Sequence, residues 1–342
     1  MAADTRTPLG FGLLLSSQSG PAEAPSDRLR GLLEQVRLAR AVGFESVWAS
    51  QHLLSAPDTY FQPVPLLARL AAAAEGMTLG TAVLLLPLFH PLHVAEDMAN
   101  LDVITGGRFV CGLGLGYRDA ENVAMGQHPR DRVGRLREGL EILKRLWSGE
   151  AVTWEGKHFR FENVRLAMLP VQRPRPRIWL AANSDVGVKR AARLADAWLI
   201  NPHTTLDTLE RQMVLLHDER RTAGLPPVTD IPIGKECYLA DTTAAALAES
   251  RPFLEGKYRG YATWGQDKAL PAGEQIDLPY EQLGRGRFLV GDVAKTIDEI
   301  AELRERLGAT AIAFRVQWPG LPQENVLRTI RLLGERVLPA VR

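Results

Sequence analysis

Eight short apolar segments alternate with amphipathic segments along the chain, and this alternation constrains the possible folds more than any other feature. The apolar segments have the length of β-strands and cover residues 9–15, 46–49, 78–86, 108–113, 177–182, 197–200, 231–239 and 311–316. Between most of them apolar residues recur at helical spacing, as at Val133, Leu136, Leu140 and Leu143. Continuous apolar strands separated by helices are typical of a parallel sheet covered on both faces. Eight such strands predict an α/β fold, a closed (β/α)8 TIM barrel.

Two segments interrupt this alternation. Residues 150–176 place aromatic residues in rough alternation before the sequence QRPRPR, which predicts an inserted hairpin followed by a stiff linker. Residues 255–287 contain many Gly, Tyr and Pro residues without a sustained period, as expected of an active-site lid or a disordered loop. Because (β/α)8 barrels reach 342 residues as one domain, we expect a single domain over residues 1–342 with these two insertions.

Charge and cysteine content exclude several classes of protein. The formal net charge is +1, so the chain lacks the strong positive field that nucleic acids or anionic membranes require. No apolar run is long enough to span a bilayer. The two cysteines have no metal-like spacing, and the histidines and carboxylates form no motif for a metal. A cytoplasmic protein without a disulfide framework or a metal site is therefore expected.

Two histidines follow predicted strands. In (β/α)8 barrels the reacting groups lie at the C-terminal ends of the strands, so His52 is expected at the barrel mouth. There it would serve as a general acid or base, the alternative being a backbone cap of the strand. His90 follows the next strand, but Pro91 after it is also typical of a helix start. Both interpretations of His90 remain open.

Two further segments could contact a cofactor. The sequence GLGLG at residues 112–116 lacks the third glycine of a dinucleotide fingerprint, because Tyr117 follows it. Its glycines would allow close approach of a planar ligand or simply form a tight turn. Asn183 and Ser184 end a strand and open a helix, a position typical of a helix cap and equally of a phosphate site.

Four segments carry a more specific resemblance. They read FESVWASQH, LGTAVLLLPLFHPLHVAEDMANLDVITGGRFVCGLGLGY, RIWLAANS and RVQWPGLPQENVLRTIRLLGERVLP. Together they resemble the bacterial luciferase-like flavin-dependent monooxygenases over nearly the whole chain. The resemblance implies a (β/α)8 barrel, a homodimer and reduced FMN bound at the C-terminal ends of the strands.

The resemblance also assigns roles to individual residues. His52 matches the family's catalytic histidine, and Ala82 and Val83 match the pair beneath the flavin ring, which the family joins by a non-prolyl cis peptide. Asn183 and Ser184 match the pair that binds the FMN phosphate. The chain departs from the family at two positions: Leu115 stands where an arginine contacts the phosphate, with Arg118 the nearest replacement, and Gln51 stands where a glutamate precedes the histidine.

The function that the resemblance implies is that of an FMNH2-dependent two-component monooxygenase. A separate flavin reductase would supply the reduced FMN, O2 would form a flavin C4a-(hydro)peroxide, and an apolar organic substrate of small or medium size would be oxidised. The predicted substrate-pocket residues are Trp48, His90, Tyr261, Trp264 and Trp318. An F420-dependent oxidoreductase and a non-catalytic flavin-binding barrel are the alternatives. The alternative role of Tyr261 and Trp264 is to anchor residues 255–287 to the barrel, without contacting the substrate.

Overall fold

The computed structural model describes residues 9–342. The strands in chain order are β1 (Gly10–Leu15), β2 (Gln18–Ser19), β3 (Ser46–Ala49), β4 (Thr59–Tyr60), β5 (Thr78–Thr81), β6 (Leu84–Leu85), β7 (Phe109–Gly114), β8 (Val152–Glu155), β9 (Arg160–Val164), β10 (Arg177–Ala181), β11 (Ala197–Leu199), β12 (Pro232–Leu239), β13 (Leu289–Gly291) and β14 (Ala311–Arg315). β8 and β9 form an antiparallel hairpin within the first insertion, and β2 pairs antiparallel with β4.

The helices cover the outside of the sheet. They are α1 (Pro25–Ala41), α2 (Pro63–Leu70), α3 (Pro91–Ile104), α4 (Asp119–Ala124), α5 (Arg132–Leu146), α6 (Asp185–Leu194), α7 (Leu206–Thr222), α8 (Thr243–Thr263), α9 (Tyr280–Leu283), α10 (Val293–Leu307), α11 (Gln323–Leu332) and α12 (Leu338–Val341). A π-helical turn at Leu333–Val337 joins the last two. None of the helices in residues 9–342 combines the length and the apolar character needed to cross a membrane.

Eight parallel strands close into a ring, which confirms the predicted barrel. Neighbouring strands in the ring are β1, β3, β5, β7, β10, β11, β12 and β14, and β14 returns to β1. The closure between β11 and β12 depends on Ile200, whose N–H donates to Pro232 O at 3.0 Å and whose carbonyl accepts from Gly234 N at 2.7 Å. β13 lies outside this ring, beside the second half of β12.

The barrel interior is filled below its mouth by two tryptophans. Trp48 of β3 and Trp179 of β10 stack with ring centroids 4.8 Å apart and planes 18° apart. Gly80 on β5 makes room for them, because a Cβ at this position would lie 2.2 Å from the Trp48 ring. A side chain of any size there would displace the indole, so this glycine is fixed by packing. The stacked rings fill the barrel at this depth, so a ligand can enter only from the C-terminal ends of the strands.

Two predicted segments differ from the structure. Residues 78–86 were expected to form one strand, but β5 ends at Thr81 and β6 begins only at Leu84. The expected non-prolyl cis peptide joins Ala82 to Val83 between them. β6 then pairs with the end of β7, where Gln51 Oε1 also accepts from Leu85 N at 2.8 Å. The strand prediction was wrong because an apolar run does not reveal where its backbone changes direction.

The second difference concerns residues 255–287. Their first part, through Thr263, continues α8 and is helical, which corrects the expectation of an irregular segment. Burial of Tyr258 and Tyr261 on the inner face holds this part of the helix despite its two glycines. The rest is irregular but anchored, because Glu274 and Arg287 form a buried ion pair and Arg287 Nε donates to His203 O at 3.0 Å.

Candidate active site

A cavity of about 660 Å³ opens at the C-terminal ends of the barrel strands. This is within the usual size range of small-molecule sites. Residues from the ends of the strands, from the loops after them and from the segment after α8 line it. They include Leu14, Trp48, His52, Ala82, Val83, Leu115, Tyr117, Arg132, Asn183, Ser184, Arg190, His203, Tyr261, Trp264, Gln266, Lys268 and Arg315. Most of the residues predicted from the sequence therefore meet in one place.

His52 lies in the wall of the cavity, in the loop after β3. Its Nδ1 is 3.5 Å from Oε1 of Glu121, a buried residue of α4. The same carboxylate oxygen accepts from Leu53 N at 2.9 Å and from Arg118 Nη1 at 3.2 Å. Nδ1 is buried and forms no hydrogen bond among the described residues, so the carboxylate is a nearby negative charge and not a hydrogen-bond acceptor for the ring. A histidine beside a buried carboxylate is a candidate for proton transfer.

Arg118 supports this loop and does not face the cavity. Its Nη1 donates to Leu53 O at 2.7 Å, and its guanidinium lies 4.4 Å from the centroid of the Trp264 ring. With these contacts and its ion pair to Glu121, the side chain is committed to holding the histidine loop. The expectation that Arg118 replaces the missing phosphate-binding arginine is therefore not supported by its position.

Asn183 and Ser184 occupy the opposite side of the cavity, at the N-terminus of α6. Ser184 is the N-cap, and its Oγ accepts from Gly187 N at 3.3 Å. Asp185, in the first turn of α6, has its negative charge balanced by an ion pair with Arg211. Hydrogen bonds from Arg211 at 2.7 and 3.0 Å lower the pKa of this carboxyl. The N-terminus of α6, with its dipole, thus remains suited to an anion.

Arg190, two turns along α6, adds a cation to the same side. Its Nε is buried and has no hydrogen-bond partner among the described residues. Burial, and then repulsion from Arg137, lowers the pKa of Arg190. A half-buried guanidinium held beside another cation is costly unless an anion joins it. Arg190 is therefore better placed than Arg118 to compensate for Leu115.

The base of the cavity is apolar. Leu14, Trp48, Ala82 and Val83 belong to the cluster inside the barrel and also line the cavity. Within the glycine-rich segment, Gly112 is required by packing and not by contact with a ligand. A Cβ at this position would lie 1.8 Å from Thr81 O of the neighbouring strand. The backbone can approach this closely only without a side chain. The apolar side chains at the base of the cavity are suited to packing against a planar ring.

A family model described as luciferase-like monooxygenase matches residues 9–311. The chain belongs to the luciferase-like monooxygenase family. This confirms the resemblance found in the sequence, and with it the prediction of an oxygenase-type enzyme.

The relatives of this luciferase-like protein use two kinds of cofactor. It is 30% identical to the oxygenase component of a flavin-dependent trigonelline monooxygenase of Acinetobacter baylyi, over 90% of this chain and 89% of that one. It is also 30% identical to an F420-dependent hydroxymycolic acid dehydrogenase of Mycobacterium tuberculosis, over 70% and 71%. Among solved structures, monooxygenase RslO1 of Streptomyces bottropensis superimposes with a TM-score of 0.82 at 28% identity, covering 97% of this chain and 99% of that one.

Two of the predicted pocket residues of this luciferase-like protein lie elsewhere. His90 is the N-cap of α3, where its Nδ1 accepts from Leu92 N at 3.3 Å and its ring packs 5.3 Å from that of Phe159. Trp318 is fully buried, and its Nε1 donates to Glu236 Oε2 at 2.6 Å. Neither lines the cavity. The proline after His90 was the relevant signal, whereas nothing in the local sequence distinguishes Trp318 from a pocket residue.

The structure also adds residues that the sequence did not single out. Glu121, Arg190, His203 and Arg315 are distant in sequence and became candidates only because the barrel brings them to one edge. Tyr117 joins them, and burial raises the pKa of its phenol, so it stays neutral beside the histidine. A signal was available for both, since Tyr117 lies in the loop after β7 and Arg315 is the last residue of β14.

Proposed function

We propose that this protein is the oxygenase component of a two-component, FMNH2-dependent monooxygenase acting on a largely apolar organic substrate. The observation that carries the proposal is one cavity lined by both a histidine beside a buried carboxylate and the N-terminus of a helix. A 30% identical relative is an oxygenase component of this kind. The F420-dependent relative at the same identity makes F420 the second candidate cofactor.

The residues present fit a flavin mononucleotide. The N-terminus of α6 and Arg190, whose buried Nε has no partner, suit the phosphate. Leu14, Ala82 and Val83 offer the apolar surface that a flat ring requires. Bound in reduced form, FMN would supply the activation of O2. The same cavity is also lined by His52, Tyr261 and Trp264, and we place the substrate beside these residues.

The chain's own residues then have distinct tasks. His52 transfers a proton, with the Glu121 carboxylate 3.5 Å from its Nδ1 as a nearby negative charge. The apolar base and the aromatic wall exclude water, which protects a reactive site from hydrolysis and side reactions. Gln266 and Lys268 belong to the predicted lid and line the cavity, and we expect this segment to close over the ligand. The reductase partner, the homodimer and the cytoplasmic location stay predictions.

Anaerobic binding followed by admission of O2 tests this function. We expect the purified protein to bind reduced FMN more tightly than reduced F420 and to slow reoxidation of the bound FMN relative to free FMN. NADH alone should leave bound FMN oxidised, and addition of a separate flavin reductase should reduce it. Binding of F420 alone, with hydride transfer to a carbonyl substrate and no O2 consumption, would instead establish the second candidate.

The phosphate position can be tested by removing one charge. Arg190→Gln should weaken FMN binding roughly 10- to 100-fold, the loss expected of one charged hydrogen bond, and leave riboflavin binding almost unchanged. Ser184→Ala should act in the same direction, because it removes the hydroxyl at the helix N-terminus. Isothermal titration calorimetry with both ligands measures the difference.

Arg193→Gln is the matched control, since Arg193 lies on the same helix but is paired with Glu219 on the surface. Equal losses of FMN and riboflavin affinity in the Arg190 variant would show that the phosphate binds elsewhere.

A further inference from the structure

Beneath the far wall of the cavity lies a cluster of buried charges formed by Glu236 of β12, Lys257 of α8 and Arg315 of β14. The Glu236 carboxylate is fully buried, and the side chains of Lys257 and Arg315 are only 4% and 9% exposed. Lys257 Nζ pairs with Glu236 Oε1, and Arg315 Nη1 lies 3.6 Å from the same oxygen. The other oxygen, Oε2, is taken by the Trp318 indole.

When Lys257 is protonated, this cluster contains more positive than negative charge. One carboxylate serves two cations, and both of its oxygens are already occupied. Arg315 is the less satisfied cation: its contact with the carboxylate is longer than a hydrogen bond, and its Nε is buried without a partner. Within residues 9–342 it forms no other ion pair. A buried guanidinium remains charged, so this excess of positive charge destabilises the folded protein unless a further anion is present.

Within the described part of the chain, the two tyrosines, the histidine and the glutamate that face the cluster do not supply that anion. Tyr261 approaches Arg315 Nη1 at 3.4 Å through its hydroxyl, but burial raises the pKa of this phenol and keeps it neutral. Burial raises the pKa of Tyr258 as well, and burial followed by repulsion from Lys257 keeps the pKa of His203 well below its usual value. Glu274 is committed to Arg287.

Arg315 connects this cluster to the cavity. It is the last residue of β14 and lines the cavity together with His52, His203 and Tyr261. Ser184 follows β10, which is not a neighbour of β14 in the ring. The excess charge is therefore separate from the site suited to the phosphate. Tyr261 links it to His52, because the Tyr261 hydroxyl contacts Arg315 and the Tyr261 ring centroid lies 6.2 Å from that of His52.

We propose that Arg315 binds an anionic oxygen group of the substrate, so that the enzyme acts on organic acids: carboxylates, or acidic phenols and enols, with an apolar body. This inference rests on the proposed function in treating the bound molecule as a substrate, but the binding itself requires no catalysis. The anionic edge of a reduced flavin has the same chemistry and is the other possible source of the anion. The experiment below separates the two.

Lys257 provides a signature of anion binding in the unchanged protein. Burial, and then repulsion from Arg315, lowers the pKa of Lys257 to about 7. An anion beside Arg315 offsets this repulsion and raises the pKa, so that binding is accompanied by proton uptake when the pH is at or above that value. The affinity for an anion should accordingly fall as the pH rises through this range, whereas the affinity for a neutral analogue should not.

The test compares acids with their primary amides: benzoate, naphthoate and octanoate against benzamide, naphthamide and octanamide. Calorimetry is performed on the apo protein and on the protein loaded with oxidised FMN, across pH and in buffers of different ionisation enthalpy. We expect at least one acid to bind roughly tenfold more tightly than its amide, with proton uptake. Arg315→Gln should abolish the preference, Arg315→Lys should retain part of it, and the exposed-surface change Arg285→Gln should leave it intact.

Three outcomes would overturn the proposal. One is equal affinity for acid and amide in all pairs, with no proton uptake. Another is an acid preference that survives Arg315→Gln. The third combines two results: the unchanged protein shows no preference for acids, and Arg315→Gln selectively loses affinity for reduced FMN. This outcome would assign Arg315 to binding of the flavin. If Arg315→Gln fails to fold, Arg315→Lys and the pH series still decide. A protein that binds F420 but prefers acids would refute the proposed function and leave this inference standing.

Discussion

Replacing His52 with alanine is expected to lower turnover roughly 10²- to 10⁴-fold, the range found when a general acid or base is removed. The fold and the affinity for FMN should be retained, because the ring lies in the cavity wall and none of the barrel core depends on it. Turnover is measured with reduced FMN supplied by a flavin reductase, on the best substrate from a panel of apolar acids, aldehydes and ketones. The thermal unfolding midpoint of the variant reports on the fold.

His93→Ala is the matched control, because this side chain is 69% exposed on α3 and faces solvent. Glu121→Gln should give a smaller loss than His52→Ala, since it keeps the contact on the Nδ1 side but removes its charge. If His52→Ala retained full turnover with normal coupling of O2 consumption to product, His52 would be a structural residue of its loop.

Removing the carboxylate from the buried charge cluster should have the largest effect on stability. Glu236→Gln leaves Lys257 and Arg315 without a counter-charge, and loss of one partner of a buried ion pair costs roughly 3–5 kcal/mol. Burial alone would raise the pKa of Glu236, but attraction to Lys257 and Arg315 outweighs it and holds the pKa below its usual value. The free energy of unfolding from urea denaturation measures the loss.

The pH dependence and two further variants define this effect. Because the pKa of Glu236 is lowered in the folded state, its stabilisation is complete above the usual glutamate pKa and is lost as the pH falls through the lowered value. The variant and the unchanged protein should therefore converge in acid. Glu281→Gln, which breaks an exposed pair with Arg251, should cost about 0–1 kcal/mol. Adding Lys257→Met to Glu236→Gln should restore part of the stability, and a Glu236→Gln variant as stable as Glu281→Gln would show that the cluster is already compensated.

The sequence predicted the barrel because each strand has a pattern of its own. A continuous apolar strand followed by an amphipathic helix is recognisable locally, and repetition of this unit leaves few possible folds. The positions of His52 and of Ser184 followed from the same reasoning, since both come directly after strands and all strand ends in a parallel barrel meet at one edge. The family resemblance added the pairing of Ala82 with Val83.

The errors occurred where local pattern and tertiary packing disagree. Residues 255–263 contain two glycines and no clear amphipathic period, yet they are helical because Tyr258 and Tyr261 are buried against the barrel. His90 has the same place after a strand as His52, but its ring turns toward the hairpin formed by β8 and β9. No sequence pattern states which way a loop turns after its strand.

Local sequence patterns were sufficient to predict the barrel, the edge at which the site lies and the residues that come after the strands. Which charges meet at that edge depends on the folded arrangement: Glu121 lies beside His52, Arg190 beside the end of α6, and Arg315 beside the carboxylate of Glu236. The physical reason is the separation along the sequence of the residues that interact. Hydrophobic periodicity records the burial of each element separately, whereas a charge is stabilised by partners that are far away in sequence and are brought within a few ångströms only when the ring closes.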